Sequence, residues 1–379
     1  MLRVLLAGGG TAGHINPALA IAEIIKEHRP DAEFCFAGNP KKLEATIIPK
    51  AGYRFEPINV EGIQRKPSLE NIKKNAHAVW CLMRTGARSK QIIKDFKPDL
   101  VIGTGGYVSG PVVRKAAQMG IPTAIHEANA FAGVTTKLLS KKVNAIMLTV
   151  ENTKNLDPDV MGKATVTGLP VRKAFDAMSK EQAREKLGFS KDSICVLSCG
   201  GSLGSMTIND NVLKLFKWYQ DNGIQVDHIH SFGTYEGYKD FPDKLRALGV
   251  DHENDPHRLV NSYINMPVCM AAADLVITRC GASTLVELEA IGRGAVLIPS
   301  PMVAENHQYH NGMVLENAGA GRVIEEKDLT DEKFIGTVSE LIRDKQKLDE
   351  LGRKCASLYI KDTNDRIWGV LQPLVKDVK

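Results

Sequence analysis

A short apolar run meets a cluster of glycines in the stretch Arg3-Val4-Leu5-Leu6-Ala7-Gly8-Gly9-Gly10-Thr11-Ala12-Gly13-His14. The run Arg3–Ala7 has the composition of a buried strand, and a helical pattern follows near Pro17, where proline suits a first helical turn. Glycines permit a sharp turn, and a helix N-terminus offers free N–H groups to an anion. The stretch therefore predicts a strand-to-helix unit whose loop binds a phosphate-containing ligand.

The same alternation of strand and helix patterns continues along most of the 379 residues. A first series of apolar runs comprises Arg3–Ala7, Glu33–Ala37, Phe55–Val60, Leu100–Gly103, Thr123–His126, Ala145–Leu148 and Thr165–Thr167. A second series comprises Ile194–Cys199, Val226–Phe232, Arg258–Val260, Leu275–Thr278, Ala295–Ile298 and Arg322–Ile324. Alternating strands and helices predict parallel sheets that are covered by helices on both faces.

Two series of strands predict two domains of an α/β protein, each a Rossmann-like parallel sheet. The turn signal Gly168-Leu169-Pro170 separates the series, so we expect domains at residues 1–168 and 169–359. A last helix at about residues 360–379 is expected to fold back on the first domain.

The composition is typical of a globular protein of the cytoplasm. Hydrophobic residues make up 43% and charged residues 25%, and no apolar run approaches the roughly 20 residues that span a bilayer. The N-terminal run lacks a basic region and a cleavage signature, which disfavours a signal peptide. The seven cysteines are scattered without a CxxC pair, which favours reduced thiols over disulfides or a zinc site.

Gly8, Gly10 and Gly13 also satisfy the dinucleotide pattern GxGxxG. A dinucleotide site requires an acid at the end of the next strand to bind ribose. That strand ends Phe36-Ala37-Gly38-Asn39, without a carboxylate. A nicotinamide or flavin cofactor is therefore disfavoured, and we expect no cofactor.

Further polar or glycine-rich loops each follow a predicted strand. These loops are Thr104–Pro111, His126–Asn129, Gly200–Ser205, Arg279–Thr284 and Pro299–Pro301. Open α/β sheets bind ligands at the carboxyl ends of their strands. The loops therefore predict two ligand-binding edges, which can face each other across a cleft.

Several of these motifs together resemble the MurG family of bacterial glycosyltransferases. The motifs are Gly9–His14, Gly105–Pro111, His126–Asn129, Pro170–Arg172, Gly200–Ser202 and Gly281–Thr284. The resemblance implies the two-domain GT-B fold and inverting transfer of N-acetylglucosamine from UDP-N-acetylglucosamine to lipid I, the undecaprenyl-pyrophosphoryl-N-acetylmuramyl-pentapeptide. The product would be lipid II, a peptidoglycan precursor.

The resemblance also implies a role for each matched residue. In the first domain, the residues implied to hold the acceptor diphosphate or to approach the sugar are Gly9, Gly10, Thr11, Ala12, Gly13, Gly105, Gly106, Tyr107 and Asn129. In the second domain, the implied donor-binding residues are Arg172, Ser202, Ile264, Ala282, Ser283, Thr284, Leu285, Val286, Glu287 and Gln308. Physical chemistry agrees at Ser202, which opens a predicted helix suited to a pyrophosphate, and at Glu287, which suits ribose hydroxyls.

Inversion in one displacement requires a general base, and histidine is the most common choice near neutral pH. We expect His14 to be this base, because the positive potential of a helix N-terminus keeps the ring neutral. Glu127 is a further candidate, and His126 suits a structural role better. No metal is expected: Asp157-Pro158-Asp159 matches the DxD pattern of other glycosyltransferases, but it follows no strand and indicates a surface turn.

The segment Arg65–Lys97 contains nine Lys or Arg residues against two acids and encloses the apolar block Ala78–Met83. Basic residues around a Trp-containing apolar block predict peripheral contact with the anionic cytoplasmic face of the cell membrane. The alternative is a solvated helix packed on its domain. The segment has no interleaved aromatic platform and no recognised nucleic-acid-binding motif, so nucleic-acid binding is disfavoured.

Three other functions remain open at this point. A UDP-N-acetylglucosamine 2-epimerase has the same architecture but needs no lipid acceptor. A dinucleotide oxidoreductase would bind a cofactor, and a sugar-nucleotide-binding regulator would bind the donor without reaction.

Overall fold

The structure is a computed structural model that describes residues 1–60, 85–171, 175, 178–376 and 378. The chain forms two compact units: unit 1 is Met1–Pro170 with Ile360–Lys379, and unit 2 is Val171–Tyr359. Across the described ranges, no helix combines the length and the apolar character that crossing a bilayer demands.

Unit 1 contains a seven-stranded parallel sheet in the order β3-β2-β1-β4-β5-β6-β7. Its strands are β1 (Arg3–Gly8), β2 (Glu33–Gly38), β3 (Arg54–Pro57), β4 (Leu100–Gly105), β5 (Thr123–Glu127), β6 (Ala145–Leu148) and β7 (Ala164–Val166). The strand order reverses between β1 and β4. Such a reversal leaves a crevice beyond the carboxyl ends of the two strands, where open α/β sheets bind ligands.

Helices cover both faces of this sheet. They are α1 (Ala12–His28), α2 (Glu44–Lys50), α3 (helical residues 85–96), α4 (Gly106–Gln118) and α5 (Val134–Ser140). Successive side chains of a strand point to opposite faces. Val4 and Leu6 of β1 therefore pack in one core layer with Ile21 of α1, while Leu5 packs in the other with Val112 of α4.

Unit 2 contains a six-stranded parallel sheet in the order β10-β9-β8-β11-β12-β13. Its strands are β8 (Cys195–Cys199), β9 (Asp227–Ser231), β10 (Arg258–Asn261), β11 (Leu275–Thr278), β12 (Gly294–Leu297) and β13 (Gly321–Val323). Its helices are α6 (Lys180–Leu187), α7 (Met206–Asp221), α8 (Phe241–Ala247), α9 (Met266–Ala272), α10 (Ala282–Ile291), α11 (His307–Asn317), α12 (Asp331–Ile342) and α13 (Lys345–Leu358). Here the strand order reverses between β8 and β11.

The last helix, α14 (Thr363–Val375), packs against α1 of unit 1. Ile367, Leu371 and Val375 are spaced four residues apart, so they lie on one helix face, and all three are buried in the core layer beneath α1. The Trp368 ring stacks on His28 with ring centroids 4.7 Å apart. The chain thus returns to its first unit after completing the second.

The predicted α/β class with two Rossmann-like parallel sheets is confirmed, and each predicted strand overlaps an observed one. The predicted start of the first helix was wrong. Helix α1 begins at Ala12 with Thr11 as its N-cap, and Pro17 lies inside the helix. Loop 1, between β1 and α1, is therefore only residues 9–11, and His14 belongs to the first helical turn.

Candidate functional site

The predicted acceptor-side residues of unit 1 lie at the reversal between β1 and β4, except Asn129, which follows the neighbouring strand β5. Loop 1 touches the β4–α4 junction, Gly105–Tyr107. Gly106 has a φ of 78°, and a Cβ there would lie 2.2 Å from the carbonyl oxygen of Gly9, so only glycine fits. Tyr107 is 65% exposed in the first turn of α4.

His14 is held in one tautomer by the end of β4. Its Nδ1 lies 3.1 Å from the carbonyl oxygen of Thr104. Because a carbonyl oxygen only accepts hydrogen bonds, Nδ1 donates the proton and Nε2 is the basic nitrogen. The Thr104 hydroxyl in turn donates to the His14 carbonyl oxygen at 2.7 Å. A Cβ at Gly105 would lie 2.5 Å from Nδ1, so this close approach also requires glycine.

A carboxylate that the sequence analysis missed lies behind loop 1. Glu44, the first residue of α2, is completely buried. Its Oε2 accepts the N–H of Gly10 and its Oε1 accepts the N–H of Asn39, both at 3.0 Å. The sequence offered no signal for this contact, because a glutamate in a first helical turn ordinarily faces solvent.

Glu127 is buried at the end of β5 and accepts four hydrogen bonds. Its Oε1 accepts the backbone and side-chain N–H groups of Asn129, each at 3.0 Å. Its Oε2 accepts the N–H of Gly133 at 3.0 Å and the hydroxyl of Thr136 at 2.5 Å. The carboxylate therefore fixes the loop after β5 and orients the amide of Asn129.

His126 precedes Glu127 and is fully enclosed by unit 1. Its Nε2 donates to the carbonyl oxygen of Gly168 at 2.9 Å. Burial lowers the pKa of His126, so the ring is neutral near physiological pH. A neutral imidazole bound to a backbone carbonyl in the interior is suited to structure and not to contact with a substrate.

The glycine loop of unit 2, Gly200–Gly204, joins β8 to α7. Helix α7 begins at Met206 with Ser205 as its N-cap, so Ser202 lies in the turn before the helix and does not open it as predicted. Gly204 has a φ of 89°, and a Cβ there would lie 2.1 Å from the carbonyl oxygen of Phe232. Gly201 has a φ of 87°, and a Cβ there would meet no protein atom within 4 Å. The loop is thus packed at one end and open at the other.

Arg279, which sequence reasoning assigned no role, lies beside this loop at the end of β11. Its Nη2 donates to the hydroxyl oxygen of Ser205 at 2.7 Å and pairs with Glu326 at 2.5 Å, and its Nη1 donates to the Ile298 carbonyl oxygen at 3.1 Å. The guanidinium thus adds N–H donors beside the N-terminus of the 16-residue helix α7, with its charge balanced by Glu326, and a helix N-terminus favours an anion.

Helix α10 supplies six consecutive predicted donor residues. They are Ala282, Ser283, Thr284, Leu285, Val286 and Glu287. Leu285 and Val286 are buried in the core, whereas Ser283 and Thr284 are partly exposed. Burial, together with the nearby charge of Glu287, raises the pKa of the Cys199 thiol at the end of β8. Glu287 itself is buried in α10, which follows β11 at the reversal in the sheet.

The other predicted donor residues follow outer strands. Ile264 lies between β10 and α9 and is 9% exposed. Gln308 lies in the first turn of α11, after β12, and its Oε1 accepts the N–H of Ser300 at 2.9 Å. Arg172 lies outside the described residues. All the described donor candidates thus lie at the carboxyl edge of the unit 2 sheet.

Comparison with known families identifies both halves of the chain. The sequence model of the glycosyltransferase family 28 N-terminal domain matches residues 4–148, and that of the C-terminal domain matches residues 194–367. The chain is 40% identical over 378 residues to the UDP-N-acetylglucosamine–N-acetylmuramyl-(pentapeptide) pyrophosphoryl-undecaprenol N-acetylglucosamine transferase of Acetivibrio thermocellus, covering 99% of each protein. It is 39% identical to the Clostridioides difficile protein of that name, over 97% of this chain and 88% of the relative.

Solved structures with the same fold belong to more than one enzyme class. Acinetobacter baumannii MurG superposes with a TM-score of 0.77 at 24% identity, over 98% of this chain and 100% of that one. A proposed UDP-N-acetylglucosamine 2-epimerase from Listeria monocytogenes superposes with a TM-score of 0.67 at 14% identity, over 100% and 97%. These likenesses show the GT-B type of fold. From the family models and the full-length relatives, the chain belongs to glycosyltransferase family 28 and, within it, to the MurG family of N-acetylglucosamine transferases.

Proposed function

We propose that this protein transfers N-acetylglucosamine from UDP-N-acetylglucosamine to lipid I, with inversion at the anomeric carbon of the sugar. The observation that carries the proposal is 40% identity, over nearly the whole length, to a relative whose name states the transferred sugar and the pyrophosphoryl-undecaprenol acceptor. Both substrates contain a diphosphate. Each unit has a helix N-terminus at its sheet edge that suits a diphosphate, α4 in unit 1 and α7 in unit 2, and this supports the proposed pair of substrates.

Unit 2 is the proposed donor side. The diphosphate of UDP would lie at the open end of the Gly200–Gly204 loop, near Ser202 and the N-terminus of α7. Arg279 and the helix dipole would then stabilise the negative charge that develops on UDP as it leaves. Glu287 would accept hydrogen bonds from the ribose hydroxyls, and the backbone at Ile264 would contact the uracil.

Unit 1 is the proposed acceptor side. The N–H of Gly10 already donates to Glu44, so this amide does not bind the acceptor diphosphate. The start of α4 with the exposed Tyr107 is the better position for that diphosphate, because a 13-residue helix presents its N-terminus there. Thr11 and Asn129 would approach the sugars.

His14 is the proposed general base. The acceptor hydroxyl oxygen attacks the anomeric carbon, the bond from that carbon to UDP breaks, and its electron pair leaves with UDP. The hydroxyl proton passes to Nε2, which is unprotonated in the tautomer set by Thr104. Attack opposite to UDP inverts the configuration at the carbon.

Glu127 is proposed to position Asn129 and not to act as a base. Its two oxygens accept four protein hydrogen bonds, and accepting a substrate proton would break several of them. The sequence-based suggestion of a second base candidate is therefore replaced by a positioning role.

Peripheral binding to the anionic cytoplasmic face of the cell membrane is proposed for the segment Arg65–Lys97. Its apolar block, Ala78–Met83, lies outside the described residues. In the described part, helix α3 buries Ile93 in the core and exposes Lys90 and Lys94. Exposed cations add attraction to an anionic surface, so binding to vesicles should increase with their content of anionic lipid and decrease with salt.

A transfer assay tests the proposal directly. Radiolabelled UDP-N-acetylglucosamine is incubated with the protein, with and without a lipid I analogue. Labelled lipid product that forms only with the acceptor supports the proposal. Epimerised sugar nucleotide without acceptor would instead identify an isomerase, and binding without any product would identify a regulator.

A further inference from the structure

We infer that Glu44 is a positioning residue for transfer: its carboxylate fixes loop 1, and through loop 1 it sets the place of His14. The inference rests on the proposed function for its effect on catalysis. Its structural part concerns three segments of unit 1, namely loop 1, the turn after β2 and the start of α2.

The carboxylate joins these segments by one bond from each oxygen. Gly10 follows β1 and donates to Oε2, whereas Asn39 follows β2 and donates to Oε1, both at 3.0 Å. Because β1 and β2 are neighbours in the sheet, Glu44 ties together the carboxyl ends of adjacent strands. A fully buried carboxylate that satisfies two backbone donors is costly to remove, since both N–H groups lose their acceptor.

The glycines around Glu44 are explained by its side chain. A Cβ at Gly9 would lie 2.2 Å from Oε1, and a Cβ at Gly38 would lie 2.5 Å from Cγ. Gly9 is itself buried, whereas Gly10 is exposed. The absence of a side chain at Gly9 thus makes room for a protein carboxylate and not for a ligand.

A displacement of loop 1 would shift two neighbouring parts of the proposed acceptor site, His14 and the β4–α4 junction. Thr11 caps α1, and His14 follows it by three residues in the first turn. The Gly9 carbonyl oxygen packs against Gly106 at the β4–α4 junction. A misplacement of about 1 Å at a reacting group lowers rates by about a hundred-fold, so a loosened loop should act on acceptor turnover.

The variant Glu44→Gln tests this inference. It has nearly the same shape, but its amide nitrogen faces an N–H donor, so only one of the two backbone bonds remains. We expect kcat/KM for the lipid I analogue to decrease by about ten- to a hundred-fold, with UDP binding unchanged, because the donor is proposed to bind unit 2. Hydrogen exchange of the peptide that contains Gly10 should accelerate. The matched control is Glu33→Gln, which alters an exposed carboxylate of unit 1 that is paired with Arg3. It should change neither the acceptor kcat/KM nor the hydrogen exchange of the Gly10 peptide.

A double-mutant cycle adds a readout that general destabilisation does not reproduce. Gly9→Ala places a methyl group against the carboxylate, so it should be damaging in the native background. In a Glu44→Ala background the carboxylate is absent. Gly9→Ala should therefore reduce activity and Tm less in that background than in the native protein.

Two outcomes separate this inference from the proposed function. If the native protein gives no lipid product, the proposed function is contradicted. Hydrogen exchange of the peptide that contains Gly10 and the Tm values of the double-mutant cycle still test the contact between Glu44 and loop 1. A folded Glu44→Gln protein with native acceptor kcat/KM overturns the positioning role alone. Equal losses for donor binding and acceptor turnover would overturn it as well.

Discussion

The two glycine loops share one backbone feature, but the charged side chains next to them differ. Each follows a central strand at the reversal of a parallel sheet, and each has one left-handed glycine with open space around it. These are Gly10, with a φ of 88°, and Gly201, with a φ of 87°. Behind loop 1 lies the buried carboxylate of Glu44, whereas the guanidinium of Arg279 lies beside the unit 2 loop.

A glycine-rich turn by itself therefore does not define its ligand. A cation at a helix N-terminus supports a diphosphate and the charge of a departing UDP. A carboxylate behind the other loop disfavours a second anion at Gly10 and leaves His14 as the reactive group. We therefore expect changes at loop 1 to affect acceptor chemistry and changes at the unit 2 loop to affect the donor.

Removal of the base is the largest expected effect. His14→Ala should decrease kcat by about a hundred- to ten-thousand-fold, the usual contribution of a general base, and leave UDP affinity unchanged. Steady-state transfer to a lipid I analogue and calorimetric titration with UDP measure the two quantities.

The variant His14→Asn separates the role of His14 as a base from its hydrogen bond to Thr104. Its amide can still donate to the Thr104 carbonyl oxygen, but it offers no basic nitrogen. We expect Asn to be as inactive as Ala. If the Asn variant kept most of the activity, the role of His14 would be structural, to hold loop 1 against β4. Loop 1 would then differ from the unit 2 loop in charge but not in carrying a catalytic residue.

The cation of unit 2 should affect the donor. Arg279→Gln removes a charge-assisted contact that is worth about 1.5–3 kcal/mol, so we expect donor KM to rise by about ten- to a hundred-fold. The control Arg246→Gln removes an exposed guanidinium of unit 2, paired with Glu253, and should have no effect. Initial rates at varied UDP-N-acetylglucosamine measure both variants. An increase confined to acceptor KM would contradict the assignment of the two loops.

The fold was predictable because its signals are local. The apolar run Val4–Ala7 is buried on both faces, and such a run followed by glycines and a helix predicts a parallel strand wherever it occurs. Helix starts were less predictable. Pro17 suggested a first turn, but α1 begins five residues earlier, because Thr11 already has the extended backbone of an N-cap.

The site was predictable only where a motif or a strand end marked it. Glu44 lies six residues beyond the end of β2, where no motif marks it. Arg279 directly follows β11, but the partners of both side chains are distant in sequence. Arg279 contacts Ser205 across 74 positions and Glu44 contacts Gly10 across 34. Such contacts depend on strand order, which a single sequence does not specify, so the charge behind each loop could not be derived.

A matched pair of glycine substitutions compares the loops at equal strain. Gly10→Ala and Gly201→Ala each force an alanine into a left-handed conformation without a steric clash, at a cost of about 1–2 kcal/mol in the free energy of unfolding. The two variants should therefore lose similar stability but differ in kinetics. Gly10→Ala should lower acceptor kcat/KM, and Gly201→Ala should raise donor KM, as measured in the same transfer assay. The same kinetic pattern in both variants would show that the loops are not specialised.

The smallest expected effect concerns buried histidines, and it tests whether the two units also differ in their response to acid. In unit 2, the Ser198 hydroxyl contacts His228 Nε2 at 2.7 Å and His230 Nδ1 at 2.8 Å. Burial lowers the pKa of His230 to about 3 and that of His228 well below its ordinary value. Unit 1 has one fully buried histidine among its described residues, His126, and burial lowers its pKa as well.

A histidine whose pKa is lowered by folding binds more protons in the unfolded chain. Its contribution to stability is therefore complete above about pH 6.5 and is lost as the pH falls toward the folded pKa of about 3 for His230. Each such group contributes at most about 1.4 kcal/mol per pH unit to the slope of the unfolding free energy. His230→Phe keeps the ring contact with Phe241 and removes the contribution of one histidine to the pH dependence of the unfolding free energy. Urea unfolding from neutral to acidic pH measures this change. An unchanged slope would mean that acid acts first on other groups, and the contrast between the units would then be confined to their loops.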